Sequence, residues 1–105
     1  MLSTLTQTEI YTEVLSESAE EQKFLKRCRP GERLTLCRLP DDPDNPTAIG
    51  VKRFSGETLG RLEKDVAERI SPRMGEGELE TVVLLITGGG FFSKQHIHCY
   101  VKIIA

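Results

Sequence analysis

The chain has 105 residues, 38% hydrophobic and 29% charged, which suits one globular domain spanning residues 1–105 with a modest core. Its 14 Lys and Arg against 16 Asp and Glu give a net charge of −2, which excludes the strongly basic footprint of a dedicated duplex-DNA binder. No run approaches the ~20 apolar residues of a membrane span, and the start Met1-Leu2-Ser3-Thr4-Leu5 has neither the basic nor the apolar region of a signal peptide.

Thr6–Leu15 (TQTEIYTEVL) reads as a first strand, with Ile10, Thr12 and Val14 on one face. Ser16–Gln22 is polar and acidic, a loop or short helix start in which Ser16 or Ser18 could cap. Phe24, Leu25 and Cys28 suggest one helical turn leaning on the core, ended by Arg29-Pro30-Gly31. Arg33–Leu39 and Ala48–Phe54 alternate as strands two and three, and Thr58–Leu62 is a short fourth. Gly60 inside that strand suggests a bulge or a close backbone approach. Glu63–Met74 has Val66, Ala67, Ile70 and Met74 at helical spacing, with Pro72 breaking or restarting the helix near Ser71 and Gly75-Glu76-Gly77 closing it. Leu79–Thr87 is nearly continuously apolar and reads as a central strand; His96–Ile104 is the last. The rows Leu34/Leu36, Ile49/Val51 and Val83/Leu85 are expected to share one core. Six strands and few helices favour a mainly β, small closed or nearly closed six-stranded barrel with one or two short flanking helices.

Between strands two and three the chain spends Pro40–Thr47 on three prolines, three aspartates and an asparagine. Hairpins usually turn in two to five residues, so this loop is stiff, polar and shaped: proline fixes φ, and Asp or Asn bonds nearby amides. Asp41–Thr47 is therefore expected to be ordered, and rigid loops on small sheets commonly carry binding residues. With its flanks the segment resembles a HIRAN domain. That family's pattern runs close to G-(D/E)-x-L-x-L-x-R-(E/D)-P, then N-P-Y-D-x-N-A-(I/V), then G-x-x-(I/V)-G-(Y/H)-(I/L) before a helix. Gly31, Leu34, Leu36, Arg38, Pro40, Pro43, Ala48, Ile49, Gly56, Leu59, Gly60 and Leu62 stand in that order here, over roughly residues 30 to 80. Asp42, Asp44, Asn45 and Thr47 depart from the family's Asn, Tyr, Asp and Asn.

The resemblance implies an OB- or SH3-like barrel and, as in HIRAN domains that bind DNA, recognition of a single-stranded 3′ end by stacked aromatics and polar loop groups. By position, Asp42 and Asn45 supply the loop's polar contacts and Arg61 stands where His or Tyr follows the second glycine. Asn45 can donate and accept toward a hydroxyl, and Arg61 can grip phosphate or stack on a base. Phe91 or Phe92, in the Gly-rich link after Thr87, would offer a stacking platform. Arg38 borders the loop, and Tyr11 follows Ile10 on the first strand, where the family carries tyrosines. Lys23, Lys26, Arg27, Arg29, Arg33 and Arg38 form a local basic strip or, more blandly, a solvated face.

Other chemistry is weaker. His96, His98 and Cys99 invite a metal, but on a strand Cys99 points away from both histidines, and structural or surface histidines are commoner. Cys28, Cys37 and Cys99 are odd in number and lack CxxC spacing, so reduced thiols and a cytoplasmic location are expected. The Asp41, Asp42 and Asp44 cluster lacks an EF-hand ladder. Gly88-Gly89-Gly90 lacks the Lys-Ser and helix of a phosphate loop, and no nucleophile motif is present. The sequence thus reads as a non-enzymatic module without metal or cofactor, binding an exposed single-stranded DNA end with strong salt dependence, at no membrane. The alternative is a protein-interaction module docking a helicase or nuclease with no direct DNA contact.

Overall fold

Alternation settles the first element. In β1 (Glu9–Leu15) Ile10, Thr12 and Val14 are buried while Glu9, Tyr11 and Leu15 face solvent, the period of two that a half-buried strand requires. The computed structural model describes residues 9–39, 44–74, 79–88 and 96–104. The expected strand residues 6–8, and the Gly75–Gly77 stop, lie outside them.

Helix α1 (Ala19–Leu25) starts at Ser18, not Ser16. The Ser18 hydroxyl accepts from the Glu21 amide at 3.0 Å, and the Glu21 carboxylate accepts from the Ser18 amide at 3.1 Å, a reciprocal capping box. Leu25 is fully buried, and Cys28 joins the same core. Strands β2 (Arg33–Arg38) and β3 (Ile49–Arg53) pair antiparallel, and β3 stops before Phe54, which is 93% exposed rather than part of the strand. Around this turn Arg53 bonds Glu32 at 2.8 Å and Glu57 at 3.0 Å, tying the start of β2 to the β3–β4 link.

In β4 (Thr58–Leu62) Val51 faces Gly60 but Lys52 faces Thr58, so Leu59 is the extra residue of a bulge. Gly60 has φ +153°, and a Cβ there would stand 2.2 Å from the Leu15 carbonyl oxygen. Only glycine lets β1 close against β4 at this point. Helix α2 (Lys64–Ile70) buries Val66, Ala67 and Ile70, and Pro72 turns the chain into a single 3₁₀ turn, Ser71–Arg73. The long apolar run and the last segment form β5 (Glu80–Thr87) and β6 (His98–Ile104); His96 precedes the strand.

The six strands form a closed barrel in the order β1-β4-β3-β2-β5-β6, with β1 paired to both β4 and β6. Leu34, Ile49, Val51 and Val83 share its core as expected, and Leu36 packs against it partly buried. Leu85 does not. The β5–β6 ladder shifts between Val83 and Leu85, and the inserted Leu84 rotates Leu85 outward, opposite Tyr100, leaving it 52% exposed. The expected Val83/Leu85 row is therefore split by a bulge, and β5 buries one face rather than two.

Candidate nucleic-acid interface

Register decides which of the candidate residues share a face. Cys37 pairs Gly50, Gly50 pairs Arg61, and Arg61 pairs Leu15, so these four lie in one row across β2, β3, β4 and β1. Val14 and Leu62, the next pair along, are buried, so the Arg61 row faces outward. One step past Val14–Cys99 on the β1–β6 ladder brings His98 level with Leu15. The row thus runs along the ends of β1 and β6 and lies one residue from the mouth of the β2–β3 loop at Arg38 and Ile49.

Arg61 is one-third exposed, and its Nε stands 3.5 Å from the Glu17 carboxylate in the β1–α1 link. Asn45 is half-buried in the β2–β3 loop; its side-chain oxygen accepts from the Thr47 hydroxyl at 3.2 Å and its carbonyl from the Ala48 amide at 3.0 Å. These bonds form an Asx-type turn leading into β3, the local chemistry expected of this loop. Asp44 is exposed beside it. Asp41 and Asp42 at the loop's start lie outside the described residues, and so do Phe91 and Phe92, so the expected order of the loop is described only from Asp44 onward.

Arg38 belongs to the opposite face. It pairs buried Ile49, and its guanidinium donates to the Ser71 hydroxyl and to the Ser71 carbonyl, both at 2.7 Å. It braces β2 against the turn that follows α2, a use of its two nitrogens that the basic-strip reading missed. Within that strip Arg27 pairs Glu57 at 3.6 Å and lies 5.9 Å from the Phe24 ring centroid, while Arg33 pairs Glu80 at 3.8 Å.

Tyr11 shares the outward face with Arg61, two rows away along β1, about 13 Å at strand spacing. It is 62% exposed, and its hydroxyl donates to the Glu9 carboxylate at 2.7 Å, which raises its pKa by favouring the protonated phenol.

The end of β1 and the start of β6 are locked together. Gln22 of α1 donates to the Ile97 carbonyl at 3.1 Å and to the Ser16 hydroxyl, and its own side-chain oxygen accepts from the Ile97 amide at 2.6 Å. His98 Nδ1 meets the Glu13 carboxylate. A shallow cleft lined by Glu13, Leu15, Ser16, Gln22, His96 and His98 follows. The histidines thus stand beside this frame, and no cluster of three metal-ligating side chains occurs among the described residues. Glu17 is the residue sequence reasoning passed over; its only signal was its place in the link that follows the first strand.

Burial pushes the Cys28 thiol up to about 11, with the Glu32 carboxylate adding to it, and the Cys99 thiol up to about 12. Neither is a nucleophile at neutral pH. No described helix is long and apolar enough to cross a membrane.

Comparison with known proteins agrees with this architecture. No curated protein sequence matches the chain. The crystal structure of the HIRAN domain of human HLTF superposes with a TM-score of 0.65 at 20% identity, over 91% of this chain and 73% of that one. A Lactobacillus plantarum protein, a structural-genomics target, gives 0.67 at 18% identity over 93% and 97%. The NMR structure of the HLTF HIRAN domain gives 0.55 at 17% over 91% and 77%. At these identities the likeness is one of fold. The sequence profile of the HIRAN domain matches residues 9–103, nearly the whole chain, and the chain belongs to the HIRAN family.

Proposed function

We propose that the chain is a non-enzymatic module that binds the 3′ end of a single nucleic-acid strand at the Arg61 row and the adjoining β2–β3 loop. The observation that carries the reading is the row itself. It sets a part-exposed guanidinium on the outward face of a closed barrel, one residue from the mouth of a loop whose Asn45 is already held in a turn. Arg61 supplies the charge-assisted contact to a terminal phosphate or stacks on a base. The Asn45 amide offers a donor and an acceptor to a terminal hydroxyl. The family resemblance, which implies a 3′-end site at this loop, supports the reading. With a net charge of −2, binding is weak and strongly salt-dependent.

The test is an anisotropy titration of labelled single-stranded oligonucleotides at low salt, with free and phosphate-blocked 3′ ends. Arg61→Ala is expected to cost about 1–3 kcal/mol on both, and Asn45→Ala to weaken the free end more than the blocked one. Unchanged affinity in both variants, with the fold retained, overturns the site. Absence of binding to either end turns the assignment to docking of a DNA-processing protein.

A further inference from the structure

The chain has two tyrosines and no tryptophan, and both tyrosines stand on the outward face of neighbouring strands. The ladders arrange that face in rows across β1, β6 and β5: Tyr11–Lys102–Val82, then Glu13–Tyr100–Leu85. Leu15 and His98 are level in the next row, and Leu15 pairs Arg61 on its other side. Tyr11 is 62% exposed and Tyr100 38%, whereas Cys99, Val101 and Ile103 between the outward positions of β6 are fully buried. The β5 bulge adds Leu85 to the same surface. Lys102 stands directly opposite Tyr11 and two residues along β6 from Tyr100, and makes no ion pair among the described residues; Glu13 stands opposite Tyr100 and is engaged by His98, as Glu9 is by the Tyr11 hydroxyl.

Two rings on adjacent strands, offset by two residues, stand about 7–8 Å apart. Exposed aromatics on a sheet face with a cation beside them match a single strand, because every base has a π-face to stack and each step carries a phosphate to neutralise. We propose that a strand held by its end at Arg61 continues across this face, its bases stacking on Tyr100 and then Tyr11 while Lys102 takes the phosphate between. The proposal rests on the end-binding reading above and is carried by continuity: from Arg61 to Tyr100 is two strand spacings and one two-residue step, roughly 12 Å. An oligonucleotide of about two residues therefore covers the end site alone, whereas one of about ten, even at a stacked rise of about 3.4 Å per residue, reaches both rings.

Tyrosine emission reports on this face, since both tyrosines lie on it and the chain has no tryptophan. The chain is titrated with oligothymidylate of the two lengths at low salt, absorbance being corrected with free thymidine monophosphate, and anisotropy of the labelled oligomers is followed in parallel. The long oligomer is expected to quench tyrosine emission and to bind about tenfold tighter than the short one. In Tyr100→Thr and Lys102→Gln, both outward and tolerant of strand geometry, the ratio of the two affinities is expected to fall toward one, with thermal melting confirming the fold. If both lengths bind alike and emission is unchanged, the track is wrong and the end site stands. If neither length binds, both readings fall.

Discussion

Arg61 faces a carboxylate in the absence of ligand. Glu17 is two-thirds exposed and 3.5 Å from the guanidinium, so the pair is solvent-screened and adds little to stability, of order 0–1 kcal/mol. A phosphate approaching Arg61 must compete with it. Glu17→Gln keeps the size and removes the charge, and is expected to raise affinity for a single strand about two- to fivefold, read by anisotropy at low salt; a fall would mean Glu17 itself contacts the strand. Inside the barrel the balance is different. Thr81 is 1% exposed, and its hydroxyl has no hydrogen-bond partner among the described residues. A buried hydroxyl left unpaired forfeits its hydration without return. Thr81→Val, similar in shape and suited to a strand, is expected to stabilise the fold by about 1 kcal/mol, measured as a higher urea midpoint at unchanged slope.

At the scale of elements, the β4 bulge is where the barrel closes. Gly60→Ala would force a side chain into a backbone region that essentially only glycine occupies and against the Leu15 carbonyl, costing on the order of 3 kcal/mol. Urea unfolding checks this, and an effect under about 1 kcal/mol would mean β1 is free to move away. This glycine was legible in the sequence because Gly weakens a strand interior and persists there mainly where a bulge or a close backbone approach requires it. The same holds for Pro72, which cannot continue a helix, and for the alternation of Ile10, Thr12 and Val14. The β5 bulge was not legible. In a run such as Val82-Val83-Leu84-Leu85-Ile86 every residue is apolar, so the pattern has no phase and an inserted residue leaves no mark. Of the candidate site, Arg61 and Asn45 are visible in the sequence only through the family resemblance, the contact of Arg38 with Ser71 depends on the turn after α2, and Glu17 becomes a neighbour of Arg61 only through the pairing of β1 with β4. Contacts made by ring closure cannot be read from a window of sequence.

At the scale of the whole molecule, the buried thiols couple stability to alkaline pH. Cys28 and Cys99 hold their protons up to about 11 and about 12 in the folded state, against an ordinary value of 9.0. Well below pH 9 both folded and unfolded chains are protonated and nothing is lost. From there to about 11–12 the unfolded chain releases protons that the folded chain retains, so stability falls as pH rises through that window. Under reducing conditions the urea midpoint is expected to drop between about pH 8 and pH 10.5, and Cys99→Val to flatten the slope; an equal slope in the variant would assign the loss to lysine and tyrosine titration instead.

The pairing of β1 with β6 joins Glu9 to Ile104, 95 residues apart (104 − 9). A strand that waits for so distant a partner makes folding slow for the chain's size, because loop closure precedes any contact that rewards it. During translation, at about 5–20 residues per second, residues 9–15 spend roughly 5–20 s without their partner strand. Over that interval the edges of β1 and β5 that β6 will cover stay unpaired, and Ile10 and Val14 on β1 lack the β6 side chains they pack beside. The ring therefore cannot close until the sixth strand has been made.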